Sequence, residues 1–373
     1  TLYHLIFIVK IKNNMKVCII GNGLTALTLA SALIKQNIYV DMFCKKKKLF
    51  LNKTRTIGIS KSNIDYFNEN VININRLLWN VKKIEIFSDN LKKEKLINFE
   101  NNNNQVFSIV KNHQLYELLR KDLNKNKYFK LKLIISESLS FINKYDLLIN
   151  CDHLNNITKK YFTKKILKKY NSNAYTTVIT HEKILNNVAV QIFTKEGPLA
   201  FLPISNTQTS IVYSIPHSFN KTKQNIEQLI KIKNMKYKIK KIEKLNSFEL
   251  KFLNLRSYYH NNILAFGDLL HRLHPLAGQG FNMTIRDIKI LLKIIKKKIE
   301  VGLPLDKSVN IEFENKVRHK NLIFSSGVDL IYKFFNFERK INKKFLSKSV
   351  QIIGNSPKIK KIFTKIADNG AIF

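Results

Sequence analysis

Lys16-Val17-Cys18-Ile19-Ile20-Gly21-Asn22-Gly23-Leu24-Thr25-Ala26 decides how this chain is read. An apolar run ends in two glycines separated by one residue, and a second apolar run continues to Ile34. That order predicts a buried strand, a glycine turn and a helix. A further strand over residues 39–43 follows at once, which completes a β-α-β unit. In that setting each small residue has its own task. Gly21 permits the tight turn, Gly23 lets a pyrophosphate approach the backbone, and Ala26 lets the helix pack on the strand. The helix N-terminus attracts the anion. The acidic residue expected to hold a ribose at the end of the second strand is missing. Cys44 stands there, with Asp41 three residues earlier.

Outward from this unit, residues 49–111 are mixed and Asn-rich, with strands expected near 84–87 and 106–110. A helix is expected over 113–122 and a buried strand over 145–150. The character then changes. Residues 175–180, 188–194, 199–204 and 210–215 are short runs rich in β-branched residues, with Gly197-Pro198 between two of them. They predict an antiparallel sheet. A charged helical stretch is expected over 221–244, then a strand over 263–266, a Gly-rich loop, a helix over 283–299 and further helices to the end. No internal repeat stands out. The division that follows is a nucleotide-binding domain over 15–174 and 259–330, interleaved with segments of a second domain, whose own antiparallel sheet fills 175–258. Residues 331–373 form C-terminal helices, and residues 1–14 are an extension outside the fold.

The 373 residues suffice for about two domains. A 45% hydrophobic share can fill a core, which excludes wholesale disorder. Sixty-five Lys+Arg against 26 Asp+Glu leave a net charge of +39, which suits anionic partners. Lys, Asn and Ile nevertheless crowd every segment, including the run Asn101 to Asn104, so the charge reads first as compositional bias. No RNP-like or helix-turn-helix pattern accompanies it, and no nucleic-acid partner is expected. Three cysteines (Cys18, Cys44 and Cys151) without a CxxC pair fit a reducing compartment and exclude a disulfide scaffold. No stretch approaches the roughly 18 apolar residues of a spanning helix, so a soluble or peripheral protein is expected.

A second constellation carries chemistry. Gly267-Asp268 ends a strand and leads through Leu269-Leu270-His271-Arg272-Leu273-His274-Pro275-Leu276-Ala277-Gly278-Gln279-Gly280-Phe281-Asn282 into a helix. A carboxylate after a strand accepts hydrogen bonds from sugar-like hydroxyls. Glycines expose backbone N–H groups, and a helix N-terminus stabilises a developing anion. Those properties match a flavin, with its ribityl chain and a ring that becomes anionic when reduced. His271 and His274 could be read as a metal pair, but no Cys, Asp or Glu follows at ligand spacing, and no metal is expected.

Residues 267–282 closely resemble the GD-x-x-H-x-x-HP-x-x-GQG-x-N signature of FAD-dependent aromatic hydroxylases of the para-hydroxybenzoate-hydroxylase type, and in particular the ubiquinone-biosynthesis hydroxylase branch. Arg55-Thr56-Ile57-Gly58-Ile59-Ser60, Glu196-Gly197-Pro198-Leu199-Ala200-Phe201-Leu202-Pro203 and Glu314-Asn315-Lys316-Val317-Arg318 add to the resemblance, which runs over about residues 15–369. It implies an α/β architecture: a glutathione-reductase-type FAD/NAD(P)-binding domain interleaved with an antiparallel-sheet substrate domain, plus C-terminal helices. By the same resemblance NAD(P)H reduces the flavin, O₂ reacts, and a polyprenylated phenol is hydroxylated. Gly21, Gly23 and Ala26 would hold the FAD pyrophosphate and Asp268 the ribityl chain. Pro275, with the backbone of Gly278, Gln279, Gly280, Phe281 and Asn282, would line the isoalloxazine, with Arg55 near it. No catalytic base follows from the sequence.

One family motif is altered. The usual Ala-Asp-Gly-x-x-Ser reads Cys151-Asp152-His153-Leu154-Asn155-Asn156, which bears on nicotinamide handling. A non-catalytic flavin scaffold and a flavin-dependent prenyl reductase are the competing readings. At the C-terminus, Ser356 suits an N-cap and Pro357 the first helical position. Ile359, Ile362, Phe363 and Ile366 then share a face rimmed by Lys358, Lys360, Lys361 and Lys365. A basic amphipathic helix of this kind suits an anionic membrane surface; an end helix packed on the core with a solvated basic side fits equally. With the resemblance, these features give a cytoplasmic protein peripheral on the inner membrane face, open to contact with other ubiquinone-biosynthesis proteins.

Overall fold

The computed structural model describes residues 15–91, 94–100, 105–134, 144–219, 222–341, 348 and 351. The extension at 1–14 and the amphipathic stretch at 356–367 lie outside the described residues. In the first half the elements are β1 (Lys16–Ile20), α1 (Leu24–Ile34), β2 (Tyr39–Cys44), β3 (Thr56–Ser60), α2 (Lys61–Asn70), β4 (Trp79–Val81), β5 (Lys83–Ser88), β6 (Lys95–Glu100), β7 (Phe107–Lys111), α3 (Asn112–Leu123), β8 (Phe129–Leu133), β9 (Leu147–Asn150) and α4 (Asn156–Tyr161). There follow β10 (Lys165–His181), β11 (Val188–Phe193), β12 (Pro198–Pro203), β13 (Gln208–Pro216), α5 (Lys223–Lys233), β14 (Ile239–Ile242), β15 (Asn246–Leu255), β16 (Tyr259–His260), β17 (Ile263–Ala265), β18 (His271–Arg272), α6 (Gln279–Glu300) and α7 (Lys307–Ile341).

Among the described residues three sheets form. The first has the order β16-β17-β9-β1-β2-β8, with β1, β2, β8, β9 and β17 all parallel. Its strands are short and apolar because both faces are covered. Nine of the eleven residues of α1 are buried, including Ala26, Leu29, Ala30 and Leu33. A helix apolar on all sides needs neighbours on all sides, and α1 finds them in the sheet, α3 and α6. Each Leu or Ile sealed there contributes about 1.5–3 kcal/mol.

The second sheet has nine strands in the order β18-β15-β10-β13-β12-β11-β5-β6, with β14 paired to β10. One face buries Ile179, Leu199, Phe201, Ile211 and Tyr213 against Ile226, Ile230 and Tyr237. Because side chains alternate across a strand, Thr176 and Ser210 point to the opposite face. There Thr54 Oγ1 lies 3.2 Å from Thr176 Oγ1, and Thr56 Oγ1 donates to Ser210 Oγ at 2.9 Å. Those two contacts hold the start of the third sheet, β3-β7-β4, against the second.

This second sheet reaches beyond residues 175–258. It begins at Lys165, takes β5 and β6 from before β10, and takes β18 from the Gly-rich loop. The charged stretch at 221–244 is not one helix, which is a correction to the sequence reading. Asn234 ends α5 by accepting from the Tyr237 and Lys236 amides at 2.9 and 3.2 Å, and the chain then extends into β14. β15 was not anticipated, since its alternation is broken by Lys251 and Asn254. The helix that follows α6 is α7, 35 residues long. Among the described residues no helix is long and apolar enough to cross a membrane.

Candidate functional site

The C-terminal ends of β1, β9 and β17 converge, and in open α/β sheets ligands bind at that edge. Gly21 has φ +108°, and its N–H donates to the Phe43 carbonyl at 2.8 Å. A Cβ on Gly21 would lie 3.4 Å from the Asp152 nitrogen, so a side chain there would meet both strain and the β9 loop. Gly23 is different. It is the N-cap of α1 at an ordinary φ of −72°, supplies no capping side chain, and a Cβ on it would meet nothing within 4 Å. The first amides of α1 therefore face open space, the arrangement an anion needs. Ala26 is fully buried one turn on.

The Gly267 turn presses on the same helix. At φ +68° its Cβ would sit 2.5 Å from the Thr25 methyl, so only glycine allows this approach. It presents Asp268 as an exposed residue whose backbone carbonyl accepts from Arg272 Nε at 3.1 Å. Burial, then the negative charges of Asp268 and Asp152, push the Cys151 thiol far above its usual range, leaving an inert thiol. The altered motif after β9 keeps a closed loop. Asn155 accepts from the Thr158 amide at 2.8 Å, and the Asn150 side chain reaches both Asn155 and Thr158. Burial and then Arg272 lower the His153 pKa, favouring the neutral ring.

Asp268→Ala is expected to weaken FAD binding by about tenfold, the lower end of the roughly 1.5–3 kcal/mol carried by a charged hydrogen bond, because the residue is exposed. Fluorescence titration with FAD measures it; unchanged affinity would mean that Asp268 has no ribityl partner.

At the other end, Gly278 (φ +62°) starts α6, and its Cβ would lie 3.4 Å from the Gly58 nitrogen. Helix α6 thus begins at Gln279, four residues before the sequence reading placed it. Asn282 is almost fully buried. Its Oδ1 accepts from the Ser60 amide at 3.0 Å and Asn63 Nδ2 at 2.9 Å, while its Nδ2 donates to the Gly58 carbonyl at 3.0 Å and the Gly278 carbonyl at 3.3 Å. The Asn282 side chain clamps β3 to α6. Gln279 Oε1 is buried without a partner among the described residues, Gly280 has open space, and Phe281 packs on Phe67 with ring centroids 6.4 Å apart. Pro275 opens the turn. Arg55 is exposed just before β3, its guanidinium 5.3 Å from the centre of the Phe248 ring.

The two histidines of the loop part company. His271 Nε2 lies 2.7 Å from Asp287 Oδ2, both residues being buried, and Asn321 Nδ2 donates to Asp287 Oδ1 at 3.1 Å. His274 stacks on Tyr332 at 4.2 Å and meets the Tyr170 edge at 5.3 Å. Burial pushes its pKa down to about 3, so the ring is neutral. Beyond Tyr332 a cavity of about 480 Å³ is lined by Phe193, Pro198, Phe219 and Phe335 among others. Phe193 and Phe335 stack at 3.6 Å. The Asp287 partner, the aromatic box and this cavity were not read from the sequence; the only signal was the pair of loop histidines.

Two glycine cradles, uncapped helix N-termini and an orphaned acceptor on Gln279 fit an elongated anionic dinucleotide with a planar ring, which is the shape of FAD. Comparison with known proteins agrees. Residues 164–300 match the FAD binding domain family. The mitochondrial ubiquinone biosynthesis monooxygenase COQ6 of Drosophila melanogaster is 24% identical, with 92% of this chain and 88% of that protein covered. The 3-demethoxyubiquinol 3-hydroxylase of Escherichia coli is 29% identical over 39% of each chain. Among solved structures, p-nitrophenol 4-monooxygenase PnpA of Pseudomonas putida superposes with a TM-score of 0.76 at 11% identity, covering 96% of this chain and all of that one. Klebsiella pneumoniae HpxO complexed with FAD and uric acid gives 0.74 at 12% identity, covering 97% and 99%.

Fold, cradles and matches define a flavin-dependent monooxygenase. Within that class the chain is similar to ubiquinone-biosynthesis hydroxylases, at 24% identity to COQ6 of Drosophila melanogaster, 23% to UbiL of Rhodospirillum rubrum and 29% to the Escherichia coli protein.

Proposed function

We propose that this protein hydroxylates a polyprenylated phenol, using NAD(P)H and O₂, at the surface of an anionic membrane. The observation that carries the reading is the pair of glycine cradles, one at the head of α1 and one at the head of α6, held in one site by the Asn282 clamp and the Gly267–Thr25 contact. When bound, FAD supplies the redox chemistry with nicotinamide and O₂. The chain supplies the rest. The Gly21 and Gly23 backbone and the α1 N-terminus hold the pyrophosphate, and Ala26 keeps that helix close to the sheet. Asp268 takes the ribityl hydroxyls. Pro275 and the backbone of Gly278, Gln279, Gly280, Phe281 and Asn282 flank the ring, where the N-terminus of the 22-residue α6 favours negative charge. Arg55 adds a cation at the same edge. Phe193, Tyr332 and Phe335 in the cavity wall suit an apolar phenol ring, with Asp89, Lys195 and Glu338 as polar groups beside them.

The neutral His274 ring cannot act as a cationic acid, and no side chain is assigned as base. Membrane attachment on the cytoplasmic face suits a substrate with an isoprenoid tail, and the +39 charge supports it. The test is oxygen-dependent oxidation of NADH or NADPH by the purified protein with a short-tailed prenylated phenol, followed by mass analysis. A product heavier by one oxygen is expected. Gain of hydrogen instead would indicate a reductase, and no nicotinamide oxidation at all would indicate a flavin scaffold.

A further inference from the structure

Helix α7 has two unlike sides. The inner side is fixed in place: Asn254 Nδ2 donates to Ser325 Oγ at 2.7 Å, the Tyr170 hydroxyl donates to Asp329 Oδ1 at 2.9 Å, and Tyr332 covers His274. Tyr332 and Phe335 of this helix also line the 480 Å³ cavity. On the outer side Ile323, Leu330 and Phe337 are 55%, 66% and 58% exposed. Seven residues make nearly two full turns, so these three side chains form one stripe along the helix. The inner hydrogen bonds prevent the helix from rotating to hide it. Lys316 and Lys333 flank the stripe, partnered by Glu312 at 2.7 Å and Asp329 at 3.0 Å within the same helix.

We infer that this outer face of α7 docks on an anionic lipid bilayer, a proposal that rests on the reading of the substrate as a membrane-dissolved prenylated phenol. Two features select lipid over a second copy of the chain. Each copy carries +39, so two copies repel each other while an anionic surface attracts either one. The stripe and the cavity wall are also opposite sides of one helix, so a bilayer under the stripe lies beside the cavity rather than across the molecule from it. An exposed apolar stripe rimmed by cations is the pattern that lies in a membrane interface.

The experiment compares the full chain with a triple variant, Ile323→Ser, Leu330→Ser and Phe337→Ser, by sedimentation with phosphatidylcholine vesicles with and without phosphatidylglycerol. The serines leave net charge unchanged, and FAD binding reports that the variant is folded. The unaltered chain is expected to bind only the anionic vesicles, and the variant to bind them on the order of a hundredfold more weakly, since three apolar side chains lose their burial. Equal binding by both would overturn the proposal and move attachment to overall charge or to residues 356–367. Failure of the unaltered chain to bind would overturn it too, as would a dimer in solution that the serines dissolve. Turnover of a water-soluble short-tailed phenol is assayed in parallel. If neither protein hydroxylates it, the substrate reading falls while the vesicle result still decides the docking face.

Discussion

Gly23→Val is expected to remove FAD binding while leaving the apoprotein folded. The backbone at Gly23 has an ordinary φ, and a first side-chain carbon meets nothing, so the fold loses little. What it would fill is the space in front of the α1 amides. Loss of two charge-assisted hydrogen bonds at roughly 1.5–3 kcal/mol each weakens FAD by about a hundredfold or more. The purified variant should be colourless, and its thermal midpoint without FAD should match that of the unaltered apoprotein. The rise in midpoint that FAD gives a protein binding it only when folded should vanish. A yellow variant with unchanged titration would place the pyrophosphate elsewhere. Gly21→Val offers the contrast: at φ +108° and against the Asp152 backbone, it should damage the fold itself.

Asp287→Ala is expected to cost about 3–5 kcal/mol of folding free energy, the usual penalty for leaving one partner of a buried pair alone. His271 and Asn321 would both lose their acceptor in a region closed to water. Against the roughly 5–15 kcal/mol that holds a typical domain together, that is a large share. Asp287→Asn keeps a hydrogen-bonding side chain of the same shape and should lose less. Urea unfolding of the two apoproteins measures the difference. A loss below about 1 kcal/mol for the alanine variant would show that water replaces the carboxylate there.

The nucleotide-binding half was legible because its signals are local. The strand, the two glycines and the apolar helix of residues 16–34 lie within one short stretch, and each glycine has a conformational reason that a sequence reveals. The GD and GQG segments were legible for the same reason. The second sheet was less so, since β5 (Lys83–Ser88) and β6 (Lys95–Glu100) join it from far upstream of β10, which starts at Lys165, and no local pattern says which sheet a strand will enter. β15 was hidden by its charged residues, which face solvent on an outer stretch. His274 could be seen as unusual, but that it is boxed by Tyr170 and Tyr332, from two other elements, is a tertiary fact.

The Asn282 clamp has a bearing on how the protein is made. Asn282 meets the Gly58 carbonyl across 224 positions of chain and Asn63 across 219. At a ribosomal pace of about 5–20 residues per second, the first half of this contact waits about 10–45 s for the second. During that interval the nascent chain can fold the β1–α1–β2 unit but has no α6 to seat a flavin ring. Seating of the flavin ring therefore waits until α6 has been made, and a chain truncated before Gln279 should fold its first β-α-β unit without holding the ring.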